Sequence, residues 1–302
     1  MKFKLINLAI SLLLLSILFV EIDIDAISSI IVKSDIGYIF AALSILFLQV
    51  LFSAKKWQYI LSLQAHHIEY KELICNLWCS LFVNQVLPSG AAGEINRVFF
   101  LKKRIGNYKS ALLNIFWDKL IGLYGLVTMV FFSLPLMFFK KYLNFFHLGV
   151  TVFGFFFLLF LILLNLGKIR KISFIRSLNF IEQLESDVML FLKKRTNLIK
   201  LITFSFLIQF MSFIAFIFLT KAFHIYIDYS VIFFIVPVAL IIMIIPISYG
   251  GWGIREVFIV YSFSLLGFSA DIGLTLSVSF GLLLVFASLP GIIMCSKFHL
   301  SK

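Results

Sequence analysis

The chain has 302 residues, of which 62% are hydrophobic and 13% charged, and its mean hydropathy is +1.09. Soluble domains contain roughly 45–50% apolar and about 25% charged residues, so a water-soluble fold could not bury this much apolar surface. Residues 150–166 are apolar at both odd and even positions, which excludes the alternating strands of a membrane β-barrel. The composition therefore predicts an all-α polytopic membrane protein.

The net charge of +12 comes largely from Lys and Arg residues in short connections beside apolar runs. Cytoplasmic loops of membrane proteins show this clustering, and no basic segment with interleaved aromatic residues is present to grip a nucleic acid. We therefore expect membrane lipids, and not nucleic acid, as partners. The expected location is the cell (inner or plasma) membrane, crossed several times.

Neither a metal nor a cofactor is expected from the Cys and His residues. Three cysteines do not make a disulfide framework, and we predict that Cys75, Cys79 and Cys295 are packing residues. The pair His66 and His67 lies near two acids at the end of an amphipathic turn, which is typical of a solvated face. No Ser-His-Asp or Cys-His arrangement is visible, so no catalytic residue is assigned.

The first half of the chain begins with two predicted spans. Residues 5–20 follow two lysines and precede three acids, so the N-terminus should face the cytoplasm. A cleaved signal peptide is the weaker alternative, because no small-x-small site follows the run. Residues 36–54 return to Lys55 and Lys56, with Trp57 and Tyr59 placed as interfacial anchors.

Residues 73–87 are apolar but too few to cross the bilayer comfortably. Pro88, Gly90 and Gly93 follow, which a continuous helix does not tolerate, and then Glu94 and Arg97. Irregular backbone at membrane depth needs protein or a watery cavity around it. We predict a re-entrant hairpin over 73–93.

Residues 112–139 are long enough to span, and 150–166 lie in the next span. Asn114, Asp118, Gly122 and Gly125 are spaced by four, four and three residues, which places them on one helical face. We predict that this stripe faces inward, with Lys119 beside it.

The segment 168–200 has apolar residues at intervals of three and four, which indicates an amphipathic cytoplasmic helix on the membrane. It would join two halves, 1–167 and 201–296. Spans are predicted at 201–221 and 229–245, followed by a second break that contains Pro246, Gly250, Gly251, Gly253, Arg255 and Glu256. Helices at 257–267 and 272–295 bring the total to about eight spans plus one or two re-entrant or broken helices.

Breaks at matching places in two halves point to a midplane binding site in transporters built from repeats, and we hold such a pair of pseudo-repeated halves as a hypothesis. Ionisable residues at membrane depth usually face a cavity or a partner. Glycines beside an arginine suit a phosphate, although no Gly-Lys-Ser/Thr nucleotide loop is present. The candidate lipid- or head-group-binding residues are Pro88, Gly90, Gly93, Glu94, Arg97, Asn114, Asp118, Lys119, Pro246, Gly250, Gly251, Gly253, Arg255 and Glu256. The competing interpretation is that Arg97, Lys119 and Arg255 are snorkelling cations near helix ends.

The segments 88–97, 118–119 and 246–256 resemble the signature segments of the lysylphosphatidylglycerol synthase transmembrane-region family, over about residues 5–295. The chain departs from the family pattern at Glu94, where Asp is usual, and at Lys119, where Arg is usual. The resemblance implies a flippase-like membrane domain that handles lipid. The cytoplasmic aminoacyltransferase of multidomain members has no counterpart in these residues, so lysyl transfer is not carried over and we expect a stand-alone member.

Three classes of function are compatible with the sequence. The first is translocation between leaflets of a phospholipid or lipid-linked head group that is anionic or carries a phosphate. The second is an enzyme or enzyme subunit that modifies a lipid head group, and the third is a non-catalytic scaffold of a cell-envelope complex. A homo-oligomer or a separate cytoplasmic lipid-modifying enzyme would be compatible protein partners.

The distribution of basic residues predicts the topology, with both termini in the cytoplasm. A reporter fused at Asp25 should read outside, whereas reporters at Lys103, Lys194 and Lys302 should read inside. An external signal at Lys194 would overturn the predicted order of spans.

Overall fold

A computed structural model describes residues 30–86, 91–164, 179–192, 194–244 and 252–300. Within these ranges the chain forms eleven helices and no strand, which confirms the all-α membrane fold. The predicted span 5–20 and the residues Pro88, Gly90, Pro246, Gly250 and Gly251 lie outside the described ranges. The helices are α1 (Ile36–Leu63), α2 (Tyr70–Val86), α3 (Ala92–Ile105), α4 (Tyr108–Phe139), α5 (Leu143–Leu164), α6 (Asn179–Leu192), α7 (Arg195–Ala222), α8 (Tyr229–Ile244), α9 (Ile254–Ser264), α10 (Ala270–Ser288) and α11 (Pro290–Leu300).

Helix length separates the spans from the hairpins. In the described part of the chain, four segments are long and apolar enough to cross a membrane: α1, α4, α7 and Ala270–Cys295. Helices α8 and α9 have 16 and 11 residues, hence lengths of about 24 and 17 Å. These lengths favour a second helical hairpin, like that of α2 and α3, over the two separate spans predicted there.

The helix bounds repeat along the chain. Helices α1 and α7 both have 28 residues. The interval from the start of α1 at 36 to that of α2 at 70 equals the interval from α7 at 195 to α8 at 229. The starts of α3 and α4 at 92 and 108 are likewise as far apart as those of α9 and α10 at 254 and 270. Two sets of four helices, α1–α4 and α7–α10, thus share one order of long, short, short and long helices, and residues at the same place in corresponding helices are called equivalent below.

Helices α1 and α7 pack against each other in opposite directions. The backbone N–H of Asp35 donates to the carbonyl of Ala222 at 2.9 Å, whereas Tyr59 near the other end of α1 donates its hydroxyl to Asn197 at 3.0 Å. Residues later in α1 therefore contact residues earlier in α7, so the two helices are antiparallel. Because α2 follows the end of α1 and α8 follows the end of α7, the two hairpins start at opposite ends of this pair.

The α1–α7 contact also relates the two sets by a pseudo-two-fold axis. Gln49 donates its side-chain amide to the carbonyl of Ile208 at 2.9 Å, and Ile208 is the position of α7 equivalent to Gln49. At one end, Tyr38 stacks on Phe218 with ring centroids 6.0 Å apart. Asn197 and Tyr59 are the positions equivalent to these two rings, and they meet at the other end. The sets are therefore inverted relative to each other, as in many transporters, whereas the predicted boundaries at 167 and 201 stay a prediction.

The cysteine prediction is wrong for two of the three residues. Cys79 and Cys295 form a disulfide with Cα atoms 5.0 Å apart, while Cys75 is free. Helix α11 packs against α2, and Trp78 of α2 also donates its indole N–H to the carbonyl of Ala287 in α10 at 3.2 Å. The two cysteines are 216 residues apart in the chain, so local sequence patterns do not indicate that they are neighbours.

Helix α6 has the amphipathic character predicted for 168–200, but residues 195–200 of that segment belong to α7 and residues 168–178 lie outside the described ranges. Leu184, Val188 and Phe191 pack against α1 and α4, and Trp117 donates its indole N–H to Asp187 at 2.8 Å. Burial raises the pKa of Asp187, while hydrogen bonds from Trp117 and Gln64 and the nearby His66 oppose that rise. The amphipathic helix is thus fixed to the membrane-spanning body by a buried carboxylate.

The close approach of α4 to α7 predicts a strict requirement for glycine at position 125. A Cβ at Gly125 would lie 2.7 Å from the Ser205 Cβ and 2.8 Å from its backbone carbon, so Gly125→Ala should lower the melting temperature. The matched control is Gly154→Ala in α5, where an added Cβ meets nothing within 4 Å and helix propensity improves by about 1 kcal/mol. Equal melting temperatures for both variants would show that α4 and α7 are not packed at this distance.

Candidate functional site

Gly93 allows the two helices of the first hairpin to meet. Its N–H donates to Asn84 Oδ1 at 2.6 Å, and an added Cβ would collide with the carbonyl oxygen of Ser80 and lie 2.7 Å from Asn84 Nδ2. On the same two helices Asn96 donates to the Ser80 hydroxyl at 2.9 Å. Gly93 therefore allows close packing of the hairpin, and its contact with a head group stays a prediction.

An accessible ion pair lies where α3 begins. Lys119 Nζ is 2.6 Å from Glu94 Oε1, and the side chains are 48% and 19% exposed. Ile95 and Phe99 on α3 and Phe116 on α4 are exposed as well. The ion pair is thus a polar spot beside exposed apolar side chains.

Asp118 bridges two cations inside the protein. Its carboxylate oxygens lie 3.0 Å from Lys56 Nζ and 2.6 Å from Arg97 Nη2, and all three residues are buried. Lys56 Nζ also donates to the Asp118 backbone carbonyl at 3.0 Å. A Cβ at Gly122 would come within 3.4 Å of that ammonium, so the glycine leaves space for it.

The indole of Trp57 supports this cluster from α1. The Arg97 guanidinium carbon lies 4.0 Å from the centre of the ring, a cation–π contact that gains strength when desolvated. The indole N–H donates to Asn114 Oδ1 at 2.8 Å, and Asn114 donates to Gln64 at 2.6 Å. Because Gln64 also hydrogen-bonds Asp187, a polar chain connects the cluster to α6.

The Lys56–Asp118–Arg97 cluster holds one positive charge more than its carboxylate neutralises. Including the Lys119–Glu94 pair adds one positive and one negative charge, so the net charge of the site stays at +1. Arg97 Nε is buried and has no hydrogen-bond partner among the described residues. A buried cation without a counter-charge is costly, so this cluster is suited to an anionic ligand.

The second cluster is neutral and closed. Arg255 donates to Glu256 from both Nε, at 3.0 Å, and Nη2, and Ser277 donates to the same carboxylate at 3.2 Å. The other Glu256 oxygen accepts the Gly253 N–H at 2.6 Å. Trp252 lies with its ring centre 5.0 Å from the Arg255 guanidinium carbon.

The structure groups the described candidate residues in two places. Arg97 meets Asp118, Glu94 meets Lys119, and Arg255 meets Glu256; within the described ranges no hydrogen bond or ion pair joins the second cluster to the first. The stripe from Asn114 to Gly125 is buried along its length, as its spacing predicts. Among described residues no group of three His, Cys, Asp or Glu could hold a metal ion.

Lys56 and Trp57 contact Asp118 and Arg97, although the sequence pattern does not mark either residue as a candidate. Their place directly after an apolar run predicts a position at the membrane interface. The signal was the inward stripe of α1, since Ala42, Leu46, Val50 and Ala54 recur every four residues and are buried. Continuing that stripe reaches Trp57, with Lys56 beside it on the adjacent part of the helix surface.

Separately, an apolar cavity of about 320 Å³ lies between α4, α5, α6 and α7. Its lining includes Tyr124, Phe131, Phe153, Phe191 and Leu201. A lining of this kind suits a hydrocarbon chain and offers little to a polar ligand.

The closed cluster predicts that Arg255 is needed for stability. Arg255→Ala would leave the fully buried Glu256 unpaired, at a cost of about 3–5 kcal/mol, so the variant should be poorly recovered from membranes. The double variant Arg255→Ala with Glu256→Gln removes the stranded charge and should be recovered better. Recovery from membranes and the melting temperature are measured for each variant. If the single variant matches the wild type in both, the pair is not a buried structural contact.

Comparison with known proteins supports the resemblance found in the motifs. No curated protein matches the chain. The sequence profile of the family described as "Lysylphosphatidylglycerol synthase TM region" matches residues 4–291, which include all three signature segments and both clusters. Because this match covers nearly the whole chain, the protein belongs to the lysylphosphatidylglycerol synthase transmembrane-region family.

Proposed function

We propose that this membrane protein binds an anionic lipid head group at the Lys56–Asp118–Arg97 cluster and moves that lipid between leaflets. The observation that carries the proposal is the excess positive charge buried in the cluster, beside the accessible Lys119–Glu94 pair. Membership of a lipid-related membrane family supports the class of ligand.

The chemistry of the cluster suits a phosphodiester. Such a group carries one negative charge, which equals the excess on the protein side. The planar guanidinium of Arg97 can donate two parallel hydrogen bonds to phosphate oxygens, and its Nε is without a described partner. Binding would satisfy that donor and neutralise the cluster at once.

The surroundings of the Lys119–Glu94 pair suit the rest of a lipid. Exposed apolar side chains on α3 and α4 would contact the acyl chains. The partly exposed ion pair beside them would form polar contacts with the head group. Inverted sets of helices with hairpins at opposite ends are the arrangement by which many transporters reach both sides of the membrane.

Transport is tested in proteoliposomes that contain a phospholipid with a fluorescent head group and a membrane-impermeant quencher outside. Arg97→Ala leaves Asp118 paired with Lys56, so the protein should accumulate while transport falls about tenfold or more, as expected for loss of a charge-assisted contact. Arg97→Lys keeps the charge but loses the planar fork, and should be intermediate.

The matched control is Arg104→Ala, which removes an arginine from the same helix α3. Arg104 pairs with Glu72 at 2.7 Å on an exposed surface, so its loss should leave transport unchanged. Full transport by Arg97→Ala would contradict the proposal. A changed mass of the lipid would favour an enzyme, and neither transport nor mass change with a co-purifying protein would favour a scaffold.

A further inference from the structure

We infer that the Arg255–Glu256 pair, which is equivalent to the Lys119–Glu94 pair beside the first cluster, forms a second head-group site, and that the two ion pairs become accessible in alternation. The assignment of a phosphate-bearing lipid to this site rests on the proposed function. The alternation itself rests on the geometry of the two sets of helices.

The carboxylates of the two sites are equivalent. Glu94 is the third residue of α3 and Glu256 is the third residue of α9. Helices α3 and α9 are the returning helices of the two hairpins. Each carboxylate therefore stands in the first turn of the returning helix of its hairpin, paired with a cation.

The cations have exchanged places with glycines between the two sets. The position equivalent to Lys119 on α10 is Gly281, where an added Cβ would collide with Arg255 Nη2. The position equivalent to Arg255 on α3 is Gly93, where an added Cβ would collide with Ser80. In the first set the cation, Lys119, comes from the long helix α4, whereas in the second set the cation, Arg255, comes from the short helix α9. In each set a glycine occupies the position at which a side chain would clash. The charge pair is kept although its residues differ.

The two sites differ in exposure. Lys119 and Glu94 are 48% and 19% exposed, whereas Arg255 and Glu256 are 3% and 0% exposed. In transporters built from inverted repeats, the opposite state arises when the two repeats exchange conformations. Such an exchange would open the Arg255 site and bury the Lys119–Glu94 pair. The freed guanidinium could then bind a phosphate group from the other leaflet.

The alternation is tested by thiol labelling at Ser277, which contacts both Arg255 and Glu256. Ser277→Cys is placed in a Cys75→Ser background and reconstituted, with a membrane-impermeant thiol reagent on both sides. Lys119→Ala leaves the resting state folded because Glu94 is partly exposed, but it strands that carboxylate once the first site closes. The alternate state is depopulated, and labelling of Ser277→Cys should fall about tenfold or more.

Two matched variants make the result specific. Adding Glu94→Gln to Lys119→Ala removes the stranded charge, so labelling should return to within about twofold of the reference. Lys140→Ala breaks a pair with Asp228 of the same 2.6 Å length and similar exposure and should not change labelling. Unchanged labelling in Lys119→Ala, or an equal fall in Lys140→Ala, would overturn the alternation.

The source of the phosphate is tested in the same system. Phosphatidylglycerol added to phosphatidylcholine vesicles should protect Ser277→Cys from the reagent, whereas inorganic phosphate in solution should not. Equal protection by inorganic phosphate would overturn the lipid assignment of this site. Thiol labelling does not require that lipid moves between leaflets. If Lys119→Ala lowers the labelling of Ser277→Cys but the protein fails the transport assay, the proposed function is refuted and the alternation stands.

Discussion

The carboxylate of Asp118 holds the first hairpin to the long helices around it. A buried charge is costly unless it is paired, and Asp118 pairs with both Lys56 of α1 and Arg97 of α3. Trp57 and Asn114 fix the same three helices through a cation–π contact and a hydrogen bond. Since one carboxylate cannot neutralise two cations, the interaction that positions the hairpin also leaves the charge that an anionic lipid would neutralise.

The inverted arrangement explains why the chain has two charged clusters of different character. Helices α1 and α7 pack antiparallel, so each hairpin begins at the opposite end of the pair. One cluster carries excess charge and lies beside an accessible ion pair, whereas the other is neutral and enclosed. An ion pair that is fully enclosed in one state and accessible in another is a two-state element of the kind that alternating access requires. The Arg255–Glu256 pair is therefore a structural contact in the state described here.

Local patterns predicted the parts of the site that lie on one helix. The spacing of Asn114, Asp118, Gly122 and Gly125 predicted a buried stripe. The short apolar run before Gly93 predicted a hairpin over 73–93, but the returning helix α3 extends over Ala92–Ile105, beyond that segment. Long-range neighbours were not predictable in this way. Lys56 followed the rule for interfacial cations, and the Cys79–Cys295 disulfide depends on the packing of α11 against α2. The repeat was visible only as two similar breaks, because equivalent positions such as Lys119 and Gly281 carry different residues while the helix bounds keep their spacing.

The most direct test of a charged lipid site is the identity of the lipid that stays bound through purification, measured by native mass spectrometry from membranes that contain anionic and zwitterionic phospholipids. We expect that an anionic phospholipid is retained well above its share of the bulk membrane and that Arg97→Ala loses it. Bound lipid in the bulk ratio, or the same anionic lipid retained by Arg97→Ala, would contradict a charged lipid site at the Lys56–Asp118–Arg97 cluster.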